Sequence, residues 1–491
     1  MDDRMEEQLL PAEGEGDIGS DTKGKIWRES KKMWRIAFPS MVARVSSFGT
    51  LVVTQSFMGH ISELDLAAYA LMQTIGVRFV NGILLGMSSA TETLCGQAFG
   101  AGQCHMMGIY LQRSWVVDLV TATILVPAFV FAKPIFRILG QEEDIARVAG
   151  QISLWFIPFL YCLVFSLTIR MYLQAQLKNM VIGWLSALSF VLHLLLSWIF
   201  VEKLNLGMPG AMGALNISSW SVVIGEFIYI FGGWCPHTWK GFTRDAFSDM
   251  LPVVKLSVSS GVMLCLELWY NAVLVLIAGY MKHAETAISA FSICLNISTW
   301  EFMIFFGFLG AASVRVSNEL GRGNAYAAKF SIKVILSTSV CLGVIFWILC
   351  LAFRHEISHL FTSNEEIAKY VSSLSVLLAF SMLLNSVQPI LTGVAIGAGL
   401  QGVVAIVNIC SYYVVGVPLG VLLGYVAHLQ ITGLWIGMLC GVAIQSSTLI
   451  ILVWRTNWEY QVSKALERLN KWFIKPSEDT DQNPVQFHNN K

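Results

Sequence analysis

Two carboxyls sit where a charge is costly to keep. Glu267 lies in Leu264-Cys265-Leu266-Glu267-Leu268-Trp269-Tyr270-Asn271, and Glu301 in Ser298-Thr299-Trp300-Glu301, with Asn296 just upstream. Both runs are apolar enough to lie in a bilayer, where an ionisable group is a functional candidate by default. Tyr270 and Asn271 follow Glu267 by three and four residues and share its face on a helix. An acid, a hydroxyl and an amide would then form one polar patch. A carboxyl held away from water with no cation beside it favours its protonated form, so such a group can load and release a proton across a gradient. The competing reading is structural: Glu267 and Glu301 pair with Arg44 or Arg78 and hold helices together.

A second cluster is Asn385 and Gln388 at i, i+3, followed by Pro389. Proline inside a helix frees a carbonyl and permits bending, so Pro389, and Pro39 early in the chain, are candidate hinges; a packing amide and a static kink would explain the same residues. Tyr270, Asn271, Asn296, Trp300, Asn385, Gln388 and Tyr412 are the candidate guest-binding residues. The aromatic ones, with Trp269 and Tyr413, offer π faces to a planar or cationic guest, or pack helices. Other ionisable residues in apolar runs are Arg44, Arg78, Arg113, Asp118, His193 and Glu226. Arg113 and Asp118 read as internal or edge residues, and His193 as a core histidine.

His355-Glu356-Ile357-Ser358-His359 matches HExxH, which on a helix can bind zinc. It lies at the outer end of an apolar run, and Asn385-Ser386-Val387-Gln388-Pro389 supplies only amides where a third ligand would be sought. A zinc protease is therefore the remote alternative. No metal and no cofactor are expected. Asn216-Ile217-Ser218 and Asn296-Ile297-Ser298 are sequons inside apolar runs and poor glycan acceptors.

The elements that must position these groups are membrane helices. The chain has 491 residues, 55% hydrophobic and 13% charged, too little charge for an ordinary soluble protein. Apolar blocks long enough to cross a hydrocarbon core fall near 33–58, 66–92, 105–131, 145–169, 181–201, 209–233, 251–280, 286–314, 327–353, 368–394, 401–425 and 432–455. This predicts an all-α membrane protein with twelve transmembrane helices in two six-helix lobes around a central cavity. Twenty Lys and Arg lie before the first block, after the last and around the even loops, against seven in the odd loops. That asymmetry places both termini in the cytosol. The net charge of zero points away from nucleic acid. The ten cysteines stand singly, with no CxxC, so neither a disulfide framework nor a cysteine metal site is expected.

The halves resemble each other. Gln97-Ala98-Phe99-Gly100-Ala101-Gly102-Gln103 and Asn318-Glu319-Leu320-Gly321-Arg322-Gly323-Asn324 lie 221 residues apart, and Glu143-Asp144-Ile145-Ala146-Arg147 and Glu365-Glu366-Ile367-Ala368-Lys369 lie 222 apart. A looser match pairs Gly210 with Gly433. A near-constant offset indicates a duplicated six-helix unit, and an even number of helices inserts both copies the same way up. The expected organisation is a disordered cytosolic tail over 1–31, an N-lobe over 32–234, a cytosolic linker over 235–250, a C-lobe over 251–456 and a cytosolic tail over 457–491. Glu6-Glu7-Gln8-Leu9-Leu10 in the first tail is a loose match to an acidic dileucine sorting signal.

Five segments resemble plant multidrug and toxic compound extrusion (MATE) transporters: Cys95-Gly96-Gln97-Ala98-Phe99-Gly100-Ala101, Tyr172-Leu173-Gln174-Ala175-Gln176, Cys265-Leu266-Glu267-Leu268-Trp269-Tyr270-Asn271, Val314-Arg315-Val316-Ser317-Asn318-Glu319-Leu320-Gly321 and Leu384-Asn385-Ser386-Val387-Gln388-Pro389. The likeness runs over about residues 30–460. It implies two six-helix lobes, alternating access, and efflux of organic solutes against protons or sodium. It further implies that Glu267 is the coupling residue of the C-lobe, with Glu301 at a position often acidic. Two departures stand out. Asn385 occupies a position where many members carry Asp, and Val53-Thr54-Gln55 lacks the first-helix acid of bacterial members, so coupling through the N-lobe is not expected. Asn385 with Gln388-Pro389 is similar to the plant subgroup handling flavonoid glycosides and alkaloids at the vacuolar membrane.

The expected activity is therefore proton-coupled antiport of a cationic or amphipathic organic solute, with no enzyme chemistry. Sodium stays open as the coupling ion. The expected setting is the vacuolar membrane first and the plasma membrane second, among lipids, as a monomer. A lipid or lipid-linked precursor flippase is the alternative; it would need a cationic cavity, for which Arg44, Arg78 and Arg113 are available.

Overall fold

The computed structural model describes residues 22–279, 285–361 and 365–471. Twelve helices in it are long and apolar enough to span a membrane, and their satisfied internal hydrogen bonds are what hydrocarbon demands of a spanning segment. They are α1 Thr22–Ile61, α2 Glu63–Gly100, α3 Cys104–Val130, α4 Glu143–Ala175, α5 Asn179–Lys203, α6 Gly207–Trp234, α7 Met250–Gly279, α8 Glu285–Gly321, α9 Ala325–Ala352, α10 Glu365–Ala398, α11 Gln401–Val426 and α12 Gln430–Arg455. A thirteenth helix, α13, runs Trp458–Lys471. Helices α1–α6 pack among themselves, as do α7–α12. Across the divide α2 lies along α7 and α8, and α1 along α8.

Proline acts differently at the two candidate hinges. Pro39 sits inside the continuous α1 and is buried, with Gly183 of α5 against its backbone. Pro389 sits in the first turn of a new helical segment: α10 stops at Asn385, turns through Ser386 and Val387, and resumes at Gln388. A proline tolerates the first turn of a helix because its missing N–H has no partner to lose there.

Helix reaches into both segments where the charge pattern suggests a tail. The expected disorder over 1–31 fails from Thr22 onward, because α1 begins there and buries Glu29 and Met33. Glu29 accepts two bonds from Arg315 of α8 (Nε at 2.7 Å, Nη2 at 3.0 Å) and one from Ser331 of α9 (2.6 Å). Arg315 also donates to Glu319 at 2.8 Å. The polar stretch after 457 is likewise not a loose tail up to Lys471. Trp458, Ala465 and Leu469 are buried on one face of α13, and Arg468 donates to Gln97 of α2 at 3.0 Å.

These ties give a prediction. Removing one partner of a buried ion pair leaves the other charge uncompensated, at about 3 kcal/mol or more. Arg315 is 3% exposed but keeps Glu319 when Glu29 is removed, so Glu29→Ala is expected to cost less than that full penalty, about 1–3 kcal/mol for the lost charge-assisted bonds, and Glu319→Ala a comparable amount. Thermal unfolding in detergent measures it; an unchanged midpoint for Glu29→Ala contradicts the pairing.

The linker is clamped to α3 and α4. Gln112 Nε2 donates to the Gly241 carbonyl (3.0 Å), its Oε1 accepts from the Thr243 N–H (3.0 Å), and Tyr172 donates to Thr238 (2.7 Å). Arg113 joins the clamp through the Asp245 carbonyl and the Ser248 hydroxyl. His355 lies in a short helix, Arg354–Phe361, beyond α9 and meets Ser372. The His359 side chain is outside the described residues. Among the described residues no group of three or more His, Cys, Asp or Glu could hold a metal ion.

Candidate functional site

In the C-lobe, Glu267 of α7 is 6% exposed. Thr392 of α10 donates to its Oε2 at 3.3 Å. Oε1 and the Nε2 of Gln388, one turn before Thr392, have no close hydrogen-bond partner, although the Gln388 amide lies near enough to the Glu267 carboxyl to act on it. Glu301 of α8 is 5% exposed. Asn385 Nδ2 donates to its Oε2 at 2.9 Å and to Ser298 at 3.1 Å; Oε1 again has no partner. Neither acid takes part in an ion pair among the described residues. The structural reading, pairing with Arg44 or Arg78, therefore does not describe this arrangement. Thr392, on the Gln388 face one turn on, went unremarked in the sequence although the spacing marks it.

The polar patch expected around Glu267 divides. Glu267 points to α10, but Tyr270 points to α12, where its hydroxyl lies 3.3 Å from the carbonyls of Gly437 and Met438. Its ring stacks on Tyr412 with centroids 4.4 Å apart, and Gly416 and Gly441 pack on it. Both tyrosines are 1% exposed, so Tyr270 and Tyr412 are packing residues here and present no free face to a guest. Asn271 lies in α7, and its side chain is outside the described residues. Asn296 is exposed. Trp300 is exposed and meets Phe48 of α1 edge-on at 4.8 Å, across the two lobes.

A cavity of about 210 Å³ lies on the N-lobe side of that contact. Arg44, Phe48, Ser166, Arg170, Ser186 and Phe306 are among its lining residues, and no carboxylate is. The Arg44 guanidinium lies 4.8 Å over the Phe306 ring. A smaller cavity beside it brings Glu92 to the same two arginines. Glu92 feels the field of Arg44, and Glu226 that of Arg170, yet neither closes to an ion pair among the described residues. Glu92 and Arg170 escape a sequence reading because they fall at the ends of their apolar blocks, at 92 and just past 169; α2 and α4 continue to Gly100 and Ala175 since those ends pack against the other lobe. Of the arginines a flippase reading needs, Arg113 is in the linker clamp and Arg78 is exposed and outside both cavities. His193 is a core histidine, between Thr54 (3.1 Å) and Ser218 (3.2 Å). Asp118 accepts from Ser88 within the N-lobe.

At the end of the bundle that bears the termini, the duplicated motifs close on each other. Gln97 Nε2 donates to the Gly397 carbonyl (3.2 Å), and Asn318 Nδ2 to the Ala175 carbonyl (3.4 Å). Gln97 and Asn318 are 221 positions apart, Ala175 and Gly397 222: one contact made twice, from each lobe to the other. Gly100 rests on the Asn318 carbonyl and Gly321 on the Gln97 carbonyl, each closer than a Cβ would allow.

A MatE profile matches residues 39–199 and again 260–422, two matches that start 221 residues apart and coincide with the duplicated halves. The chain belongs to the MATE transporter family. It is 54% identical to Protein DETOXIFICATION 24 of Arabidopsis thaliana over 489 residues, covering 98% of each chain. It is 55% identical to Protein DETOXIFICATION 25 of the same plant, covering 96% of this chain and 95% of that one. The crystal structure of the eukaryotic MATE transporter AtDTX14 superposes with a TM-score of 0.86 at 30% identity, over 90% of this chain and 99% of that one. A multidrug resistance MATE transporter in an outward-facing conformation shares the fold at TM-score 0.76 and 17% identity, covering 91% of this chain and all of that one. This MATE chain is thus a multi-pass membrane transporter of small organic molecules and not an enzyme, which removes the zinc protease reading.

Proposed function

We propose that this chain is a proton-coupled antiporter that carries amphipathic organic solutes out of the cytosol, with the vacuolar lumen as destination. Plant secondary metabolites such as alkaloids or flavonoid glycosides, and xenobiotics, are the cargo class. The observation that carries the reading is Glu267: buried, without a cationic partner, bonded to the Thr392 hydroxyl with the Gln388 amide nearby, and left with one carboxyl oxygen that makes no close hydrogen bond. Bringing a proton to that oxygen neutralises a charge that burial disfavours.

The cycle runs between two lobe arrangements. With the cavity open to the acidic side, Glu267 takes a proton and cargo leaves. The lobes rock, the terminus-side contact opens, Glu267 releases its proton to the cytosol and cargo binds. Glu301 with Asn385 is a second carboxyl whose protonation follows the same rocking. Since α10 breaks at Ser386-Val387, the segment that bears Gln388 and Thr392 can swing relative to Glu301 and Asn385. The excess of Lys and Arg at the terminus-bearing face supports a cytosolic placement of both ends.

Vesicle uptake of berberine and of a flavonoid glucoside, under an imposed pH gradient or an imposed sodium gradient at clamped pH, tests the reading. Uptake driven by the pH gradient alone is expected; uptake driven by sodium alone overturns proton coupling. A fluorescent fusion found at the plasma membrane would overturn the vacuolar destination.

A further inference from the structure

The cavity beside Trp300 and Phe48 does not have the chemistry of a cation site, and we propose that it is an anion subsite, holding a carboxylate, sulfate or phosphate group carried on an aromatic or lipid-like body. The inference rests on the proposed transport function, takes this cavity as part of the cargo path, and concerns the anionic members of the cargo class, apart from cations such as berberine.

Two guanidiniums line one cavity, from α1 and α4, near enough for the charge of Arg170 to act on Arg44. No carboxylate lines it. Arg170 is 8% exposed, its Nε has no hydrogen-bond partner, and its Nη2 reaches only the Ser166 hydroxyl, at 3.4 Å. Ser186, 4% exposed and on the same wall, has a hydroxyl with no partner. Buried donors without acceptors are uncommon because each forfeits its hydration. Glu92 and Glu226 temper the field from outside the cavity without pairing with either arginine. An anion between Arg44 and Arg170 would relieve their repulsion, accept from the free Nε, and gain the charge-assisted bonds that guanidinium makes with oxyanions. The remaining wall suits an apolar body: Phe48, Phe302 and Phe306 with Leu51 and Leu85.

The test is equilibrium binding to the full chain in phosphatidylcholine nanodiscs, with three probes of one shape: naphthalene-2-carboxylate, 2-naphthylmethanol and 2-naphthylmethylamine. The carboxylate is expected to bind roughly tenfold or more tightly than the alcohol and the amine, the size of one charge-assisted hydrogen bond. Arg44→Gln and Arg170→Gln should each remove that advantage. Ser47 lines the cavity and is exposed, so Ser47→Glu adds a carboxylate while keeping both arginines, and should remove the carboxylate's advantage as the two arginine variants do. Equal binding of the three probes by the wild type, or an unchanged preference in monodisperse Ser47→Glu protein, overturns the proposal. Repeating the titration with phosphatidic acid in the disc separates two sources of anion. Competition with the carboxylate assigns the site to a lipid phosphate, and its absence to a free solute; either result upholds an anion site. Glu267→Gln tests the coupling reading separately, since it should lose pH-driven uptake while the preference among the three probes persists.

Discussion

Gly100→Ala and Gly321→Ala are each expected to stop transport, and to do so to the same degree. Gly100 rests on the Asn318 carbonyl and Gly321 on the Gln97 carbonyl, so in both variants a methyl group would occupy the space of a backbone oxygen in the opposite lobe. A backbone carbonyl cannot turn aside as a side chain can. Overpacking of this kind costs about 1–3 kcal/mol where neighbours yield, and more where they do not. That penalty falls only on the arrangement in which the terminus-side ends of α2 and α8 touch. The equilibrium between lobe arrangements should therefore shift by roughly tenfold to 100-fold towards the open one, and a transporter that cannot close one side cannot complete a cycle. Hydrogen exchange over residues 93–101 and 314–321 should quicken in both variants, because the crossed bonds from Gln97 and Asn318 lose their registry. Gly402 has open space where its Cβ would stand, so Gly402→Ala should transport as the wild type does. Full transport by either Gly100→Ala or Gly321→Ala would show that the contact is not a gate.

Glu267→Gln should lower pH-driven transport by roughly 100-fold, since coupling free energies between two ligands reach about 3 kcal/mol. Glutamine keeps the shape and can still accept from Thr392, but it has no proton to exchange. Folding should be spared because no cation depends on this carboxyl among the described residues. Thr392→Val, which removes the 3.3 Å bond to Oε2, should slow transport by a smaller factor and shift its pH dependence, because the hydroxyl stabilises the charged form of Glu267. Glu301→Gln separates the two acids. If Glu301 and Asn385 only brace α8 against α10, this variant loses stability and keeps its coupling ratio; if Glu301 carries a proton, the ratio changes.

What the sequence discloses follows from what a membrane constrains. Spanning helices must be long and apolar, so all twelve are legible, and the duplication is legible because the residues of the lobe-to-lobe contact themselves repeat: Gln97 and Asn318, Gly100 and Gly321. Glu267 and Glu301 stand out because a lone acid in an apolar run has few structural reasons to be there. The helix ends are less legible. Hydropathy ends a span where polar residues gather, near 92 and 169, yet Glu92 and Arg170 lie inside helices that continue into lobe–lobe contact and so escape both lipid and water. Trp458, Val462, Ala465 and Leu469 form a helical stripe within a polar stretch; the charges around them mask a periodicity that docking makes evident. Tyr270 misleads for another reason. Spacing puts it on the face of Glu267, but an aromatic ring reaches far enough sideways to join α12 instead.

Exchange of one proton for cargo at Glu267 can be read directly in proteoliposomes that are acid inside, carry a pH-sensitive dye, and hold sodium equal on both sides. Adding berberine or a flavonoid glucoside outside should drain lumenal protons as the solute accumulates, with wild-type protein, and should leave the dye signal flat with Glu267→Gln. Equal proton drainage by the two proteins would contradict the account.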